Sequence, residues 1–112
     1  MRVKWLILVC SVVACTRTTP SDGASGAEVF ATYCAVCHGP NGKPSATMAA
    51  RLAVRDLTSP ELRAKVSVKL VEDQVRKGSQ NKLMPGFEGA ISDAQIKAVA
   101  AWVASSTFVS QP

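Results

Sequence analysis

The sequence predicts an all-α domain of about four helices, and three observations carry that prediction. Two segments open on capping boxes, Ser25-x-x-Glu28 and Ser92-x-x-Gln95, in which each side chain satisfies a backbone N–H at the other's position. Apolar residues recur at helical spacing after each box, and again at Val68, Val71 and Val75. No βαβ alternation is present, and the pentapeptide Cys34-Ala35-Val36-Cys37-His38 falls early, at the end of the first predicted helix.

The N-terminus reads as an address rather than as part of the fold. Arg2 and Lys4 precede a hydrophobic run from Trp5 to Ala14, too short to span a bilayer comfortably and of signal-peptide form. Val12-Val13-Ala14-Cys15 resembles a bacterial lipoprotein box, in which the cysteine receives a lipid and becomes the first residue of the mature chain. Ordinary cleavage after Ala14 is the alternative, and it would leave Cys15 an unpaired thiol in an oxidising compartment. Lipidation at Cys15 removes that oddity and is preferred. Residues 1–15 are therefore expected to be an export signal. Thr16 to Ser25, rich in Thr, Ser, Pro and Gly, is expected to be a flexible tether, and 26–112 the single domain.

The first helix should start at Ser25 and carry Val29, Phe30, Tyr33 and Cys34 on one side. It delivers the C-x-x-C-H motif, which has the form of a c-type haem attachment site. Two thiols three residues apart on one helical turn face the same way and can add to the two vinyl groups of a haem. The next residue, His38, can then offer an imidazole nitrogen to the iron. Rival readings are weaker. A thioredoxin-like C-x-x-C belongs at a strand end, and a structural zinc needs four ligands, whereas Cys10 and Cys15 lie in the signal. A merely structural cysteine pair is the plainest alternative. With a single His in the chain, one haem is the maximum, and two histidines cannot share its iron.

Gly39-Pro40-Asn41-Gly42 should end that helix, and Lys43 to Leu57 reads as an aperiodic loop. One carbonyl of this loop should accept the other ring N–H of His38, as ligating histidines nearly always have such a partner. Ser59, Pro60 and Glu61 open a short helix to about Val66, and a helix through Val68, Val71 and Val75 should stop at Gly78. Ser79 to Phe87 has no period. Met84 stands in this polar loop before Pro85, poorly explained as core and well suited as a soft sixth ligand. Met48 is the rival, but it follows His38 by only ten residues and would have to round the haem edge. The last helix opens at Ser92 and lines Ile96, Val99, Ala100 and Val103 on one face with Trp102 beside them. It ends near Ser105, with Thr107 to Pro112 a frayed tail.

Composition narrows function further. At 112 residues and 5% aromatics the side chains make a marginal core, which a buried haem would enlarge. Net charge is +5, or +3 once Arg2 and Lys4 leave with the signal, a mild excess suited to acidic docking faces on a partner. The chain shows no Gly-rich phosphate loop, no basic tract interleaved with aromatics that would mark a nucleic-acid binder, and no Ser/His/Asp set.

From Gly26 to about Ser106 the chain resembles the class I cytochromes c, of the small bacterial monohaem kind. The resemblance rests on Cys34, Cys37 and His38 near the start, Gly26 and Phe30 ahead of them, Met84-Pro85 before the last helix, and Val99 with Trp102 within it. It implies a cytochrome c fold around one covalent haem c, with thioethers to Cys34 and Cys37 and with His38 and Met84 as axial iron ligands. Gly26 and Phe30 would meet Val99 and Trp102 where the terminal helices cross. The implied function is one-electron transfer between redox protein partners in a periplasmic respiratory chain, cycling Fe(II) and Fe(III). With both axial positions filled, no site for a small-molecule substrate is left, so an enzyme is not expected. A haem-based gas-sensing domain and a cytochrome c subunit of a larger oxidase or dehydrogenase carry the same signature. The lipid anchor at Cys15 departs from the freely diffusing majority of the family.

Overall fold

The computed structural model describes residues 19–112; the expected export signal, with Cys10 and Cys15, lies outside the described residues. Helix α1 begins at Gly26 because the first capping box closes in both directions. The Ser25 hydroxyl accepts from the Glu28 N–H at 3.2 Å, and the Glu28 carboxylate accepts from the Ser25 N–H at 2.8 Å. α1 is α-helical over Gly26–Val29, widens to a π turn over Phe30–Cys34 and closes as α-helix over Ala35–His38, ending at Gly39. The sequence predicts a regular helix here, since a π turn leaves no mark on the apolar period. Such widenings occur chiefly at functional sites.

The stretch expected to be an aperiodic loop holds a helix, α2, over Ala46–Leu52. Ser45 caps it by accepting from the Met48 N–H at 3.2 Å, and Ala53 ends it in the left-handed region. None of its residues is fully buried, so no apolar stripe announces it. α3, Pro60–Arg63, is capped by Ser59 and is shorter than expected, although the Lys65 and Val66 N–H groups still bond the Leu62 carbonyl. α4, Val68–Lys77, buries Val71 and Val75 and stops at Gly78 as its spacing predicts, but Val68, expected on the same face, stands in the first turn and is exposed. α5, Asp93–Ala104, starts on the second capping box, with bonds of 3.1 and 2.8 Å between Ser92 and Gln95.

The core forms where α1 crosses α5. Val29 and Phe30 pack on Ile96, Val99, Ala100 and Val103, and Val71 and Val75 of α4 join them. Gly26 makes the crossing possible. A Cβ there would lie 2.5 Å from that of Trp102 and closer still to the Ala98 carbonyl. Arg76 ties α4 to the start of α5, pairing with Glu72 at 2.9 Å, with Glu88 at 3.5 Å and with Asp93.

Both ends of the domain are better held than the sequence implies. The tail is not frayed: α6, Ser106–Val109, folds back and buries Phe108 completely. The Phe108 ring meets Phe30 edge-on at 5.2 Å and Trp102 at 6.0 Å. At the other end, Gln95 Nε2 donates to the Pro20 carbonyl at 2.7 Å and to the Ser21 carbonyl at 3.3 Å, so the last part of the expected tether lies against α5. Among the described residues no helix is long and apolar enough to cross a membrane.

The Phe108 contacts yield a direct test. Phe108→Ala should destabilise the haem-loaded protein by about 3–5 kcal/mol in denaturant unfolding. A loss below about 1 kcal/mol would mean that the tail does not close the core.

Candidate haem site

The C-terminal part of α1 puts two thiols and an imidazole on one wall. Cys34 closes the π turn, Cys37 and His38 lie in the turn after it, and all three line one cavity of about 380 Å³. That volume is in the range of small-molecule and cofactor sites. The other walls come from Ala53–Leu57 after α2, from α4 through Val71 and Val75, from the loop of Met84 and Phe87, and from Val99 and Val103 of α5. Met84 lines this cavity and Met48 does not. The structure thus brings Cys34, Cys37, His38 and Met84 together and leaves Met48 on α2.

His38 is held by a single directed bond. Its Nδ1 lies 3.1 Å from the Arg55 carbonyl. A carbonyl oxygen only accepts, so Nδ1 carries the proton and Nε2 keeps the lone pair that a metal takes. The sequence requires some carbonyl of the 43–57 loop in this place, and the structure identifies it as that of Arg55. Burial holds the imidazole below its ordinary pKa, against the opposing pull of the Arg55 bond, so the ring is neutral at neutral pH. Burial, and after it the neighbouring Cys37, pushes the Cys34 thiol up to about 11.

The Met84 loop is fixed by its backbone. Ser79 and Met84 exchange two bonds, Ser79 N–H to the Met84 carbonyl and Met84 N–H to the Ser79 hydroxyl, both at 3.0 Å. Asn81 accepts from the Ser79 hydroxyl at 2.6 Å and from the Leu83 N–H at 3.0 Å, and Phe87 N–H reaches the Val75 carbonyl at 2.8 Å. Gly78, at φ +74°, lets this loop lie on the end of α4. A Cβ there would come within 2.7 Å of Gly86 N and closer to the Met84 carbonyl. Ser79 and Asn81 are the functional residues that the sequence reading passes over; their only signal is a turn-forming polar cluster.

The lining fits a haem: two thiols on one turn, an imidazole whose second nitrogen is satisfied, a thioether on a pinned loop, and apolar walls. An all-helical shell around such a cavity defines a c-type cytochrome domain. Residues 21–103 match the family described as cytochrome c oxidase, cbb3-type, subunit III. The chain is 40% identical over 84 residues to cytochrome c6 of Synechocystis sp., covering 74% of this chain and 64% of that protein. It therefore spans just under two thirds of that relative's length. It is 39% identical over 92 residues to cytochrome c6 of Picosynechococcus sp., covering 80% of this chain and 77% of that one. The solved structure of the KustC0563 c-type cytochrome superposes at a TM-score of 0.63 and 25% identity, over 72% of this chain and 95% of that chain. The chain belongs to this cytochrome c family and takes its cofactor, one covalently bound haem c.

Gly78→Ala should loosen the methionine loop by about 1 kcal/mol or more, because it adds strain at positive φ to a backbone clash. Amide exchange at Ser79 and Phe87 should then speed by about fivefold or more. Gly23→Ala, where the nearest atom to an added Cβ is 3.9 Å away, is the control and should change neither.

Proposed function

We propose that Cys34 and Cys37 would carry the haem by thioether bonds, that His38 Nε2 and Met84 Sδ would ligate its iron, and that the protein moves single electrons between redox proteins in a periplasmic chain. The observation that supports this best is that Cys34, Cys37, His38 and Met84 all line one apolar cavity. When bound, the haem supplies the Fe(II)/Fe(III) couple. The protein's part is to hold its own groups still through that change. The Arg55 carbonyl keeps the His38 ring in one tautomer and one orientation. The bonds of Ser79 and Asn81 hold the Met84 backbone at the cavity wall, where a thioether favours Fe(II) and raises the potential. Leu57, Val71, Val75 and Phe87 exclude water, which keeps the polar response to a charge change small.

Two parts of the reading rest on sequence. Export follows from the Arg2-to-Ala14 signal, and anchoring from Val12-Val13-Ala14-Cys15. The mature charge of +3, after loss of Arg2 and Lys4, suits partners with acidic docking faces. A second reading, a cytochrome subunit of a larger oxidase, is favoured by the description of the matched family, which names such a subunit.

Met84→Ala should open the iron to carbon monoxide and cyanide, abolish the methionine–ferric absorption band and lower the potential, while Met48→Ala should do none of these. Loss of that band from the Met48 change alone would reverse the assignment and leave Met84 a packing residue.

Mass spectrometry of the mature N-terminus tests the anchor. A diacylglyceryl group on Cys15 is the expected result. An unmodified start at Cys15 or beyond makes the protein a freely diffusing carrier, and a retained Met1 makes the hydrophobic run an uncleaved anchor.

A further inference from the structure

We propose that Arg63 is a positioning residue for the His38 side of the haem site, acting through the loop that carries the Arg55 carbonyl. The proposal rests on the reading of His38 as an iron ligand. Arg63 is the last residue of α3 and does not line the cavity. Its half-buried guanidinium donates to the Val103 carbonyl at 2.8 Å, to the Ser105 carbonyl at 3.0 Å and, more weakly, to the Leu57 carbonyl at 3.4 Å. The same group lies 5.7 Å from the centre of the Phe108 ring.

The chemistry of those acceptors explains an arginine. Val103 and Ser105 offer carbonyls at the end of α5, where the helix leaves acceptors unpaired and the backbone dipole is negative. Leu57 belongs to a different segment. Only a planar fork of several donors can serve carbonyls of two segments at once, while a lysine ammonium, though charged, lacks that fixed geometry. The four-residue α3, held by Ser59 and Pro60, thereby acquires a purpose: it presents Arg63 between the loop and α5.

From Leu57 the effect reaches the iron site in one short step. Arg55, two residues earlier, gives the carbonyl that accepts from His38 Nδ1 at 3.1 Å. Leu57 N–H donates to the Gly42 carbonyl at 2.9 Å, and Gly42 backs onto the Phe108 ring, 2.5 Å from Cζ were a Cβ added. The Asp56 carboxylate accepts from the Thr58 N–H and hydroxyl within this stretch, and the 55–57 segment is held on one side by the turn that follows the C-x-x-C-H motif and on the other by Arg63. Without Arg63 the support from the end of α5 goes, and the Arg55 carbonyl is held less firmly against His38. A weaker bond at Nδ1–H makes the imidazole a poorer donor, which disfavours Fe(III) and raises the potential.

The test uses the haem-loaded protein with Arg63→Lys and Arg63→Ala, reading the reduction potential and, by NMR, the His38 ring and the exchange of its Nδ1 proton. Arg63→Lys, which keeps the charge, should shift the potential upward, and both variants should speed exchange of that proton by about tenfold or more, with the methionine–ferric band retained. Lys69→Ala, which removes an exposed pair with Asp73, should leave potential and exchange unchanged. If the alanine variant fails to fold, the lysine variant carries the test. Lower stability with wild-type potential and wild-type exchange would make Arg63 only a helix cap, and the proposal would fall alone. A wild-type His38 ring without the hyperfine shift of a ligand to ferric iron would overturn the ligand assignment and this proposal with it.

Discussion

Everything in this fold depends on two backbones touching at Gly26. The N-terminus of α1 lies so close to Ala98 and Trp102 of α5 that there is no room for even one methyl group between them. That contact fixes how the two helices cross, and the crossing decides which side chains each can bury. Val29 and Phe30 fall on Ile96, Val99 and Val103, while the far end of α1 is left free to carry Cys34, Cys37 and His38 past the core. α5 then serves twice, because Val99 and Val103 pack the crossing and also wall the cavity. With so few buried residues among those described, the side chains alone make a thin core. The apolar face of a haem is thus part of the fold's stability as well as its chemistry.

His38 and Met84 are held in different ways. An imidazole lone pair points along one line, so His38 needs an orienting bond, and a carbonyl seventeen residues away provides it. A thioether on a flexible side chain needs its backbone in the right place, and the bonds around Ser79, Asn81 and Phe87 supply that. The first support is a single bond whose acceptor sits in a loop, and it is only as firm as that loop. The second is spread over several bonds to the end of α4. The orientation of His38 is therefore more exposed to changes around residues 55–57 than the Met84 backbone is to the loss of any one of its loop's bonds.

What could be read from the sequence follows from the range of each signal. The capping boxes at Ser25 and Ser92, the stop at Gly78 and the C-x-x-C-H motif are local patterns, and each names its own geometry. The cavity residues Cys34, Cys37, His38 and Met84 were legible because their chemistry is unusual where they stand. α2 was not legible, since a helix with no buried residue has no apolar stripe to detect. The π turn was hidden because one widened turn shifts the apolar period too little to see. Phe108 near the chain end reads as a frayed residue until the rings of Phe30 and Trp102 are known to meet it. Arg63 and the Arg55 carbonyl were out of reach for the same reason: their partners lie in segments distant in sequence.

Gln95 joins the two halves of the functional reading. Its Oε1 accepts from the Ser92 N–H and completes the cap of α5, and its Nε2 grips Pro20 and Ser21. Read from sequence, Thr16 to Ser25 would be a coil of ten residues between anchor and domain. The grip shortens it. An anchor at Cys15 would leave only Thr16 to Thr19 ahead of the first held residue, Pro20. Five backbone steps reach at most about 18 Å at 3.3–3.6 Å each, and that is an upper limit rather than an average. Pro20 is fastened at the start of α5, so that end of the domain would face the bilayer. A carrier on so short a leash turns but does not cross a wide gap, and its donor and acceptor would both have to present their redox centres close to the same membrane surface.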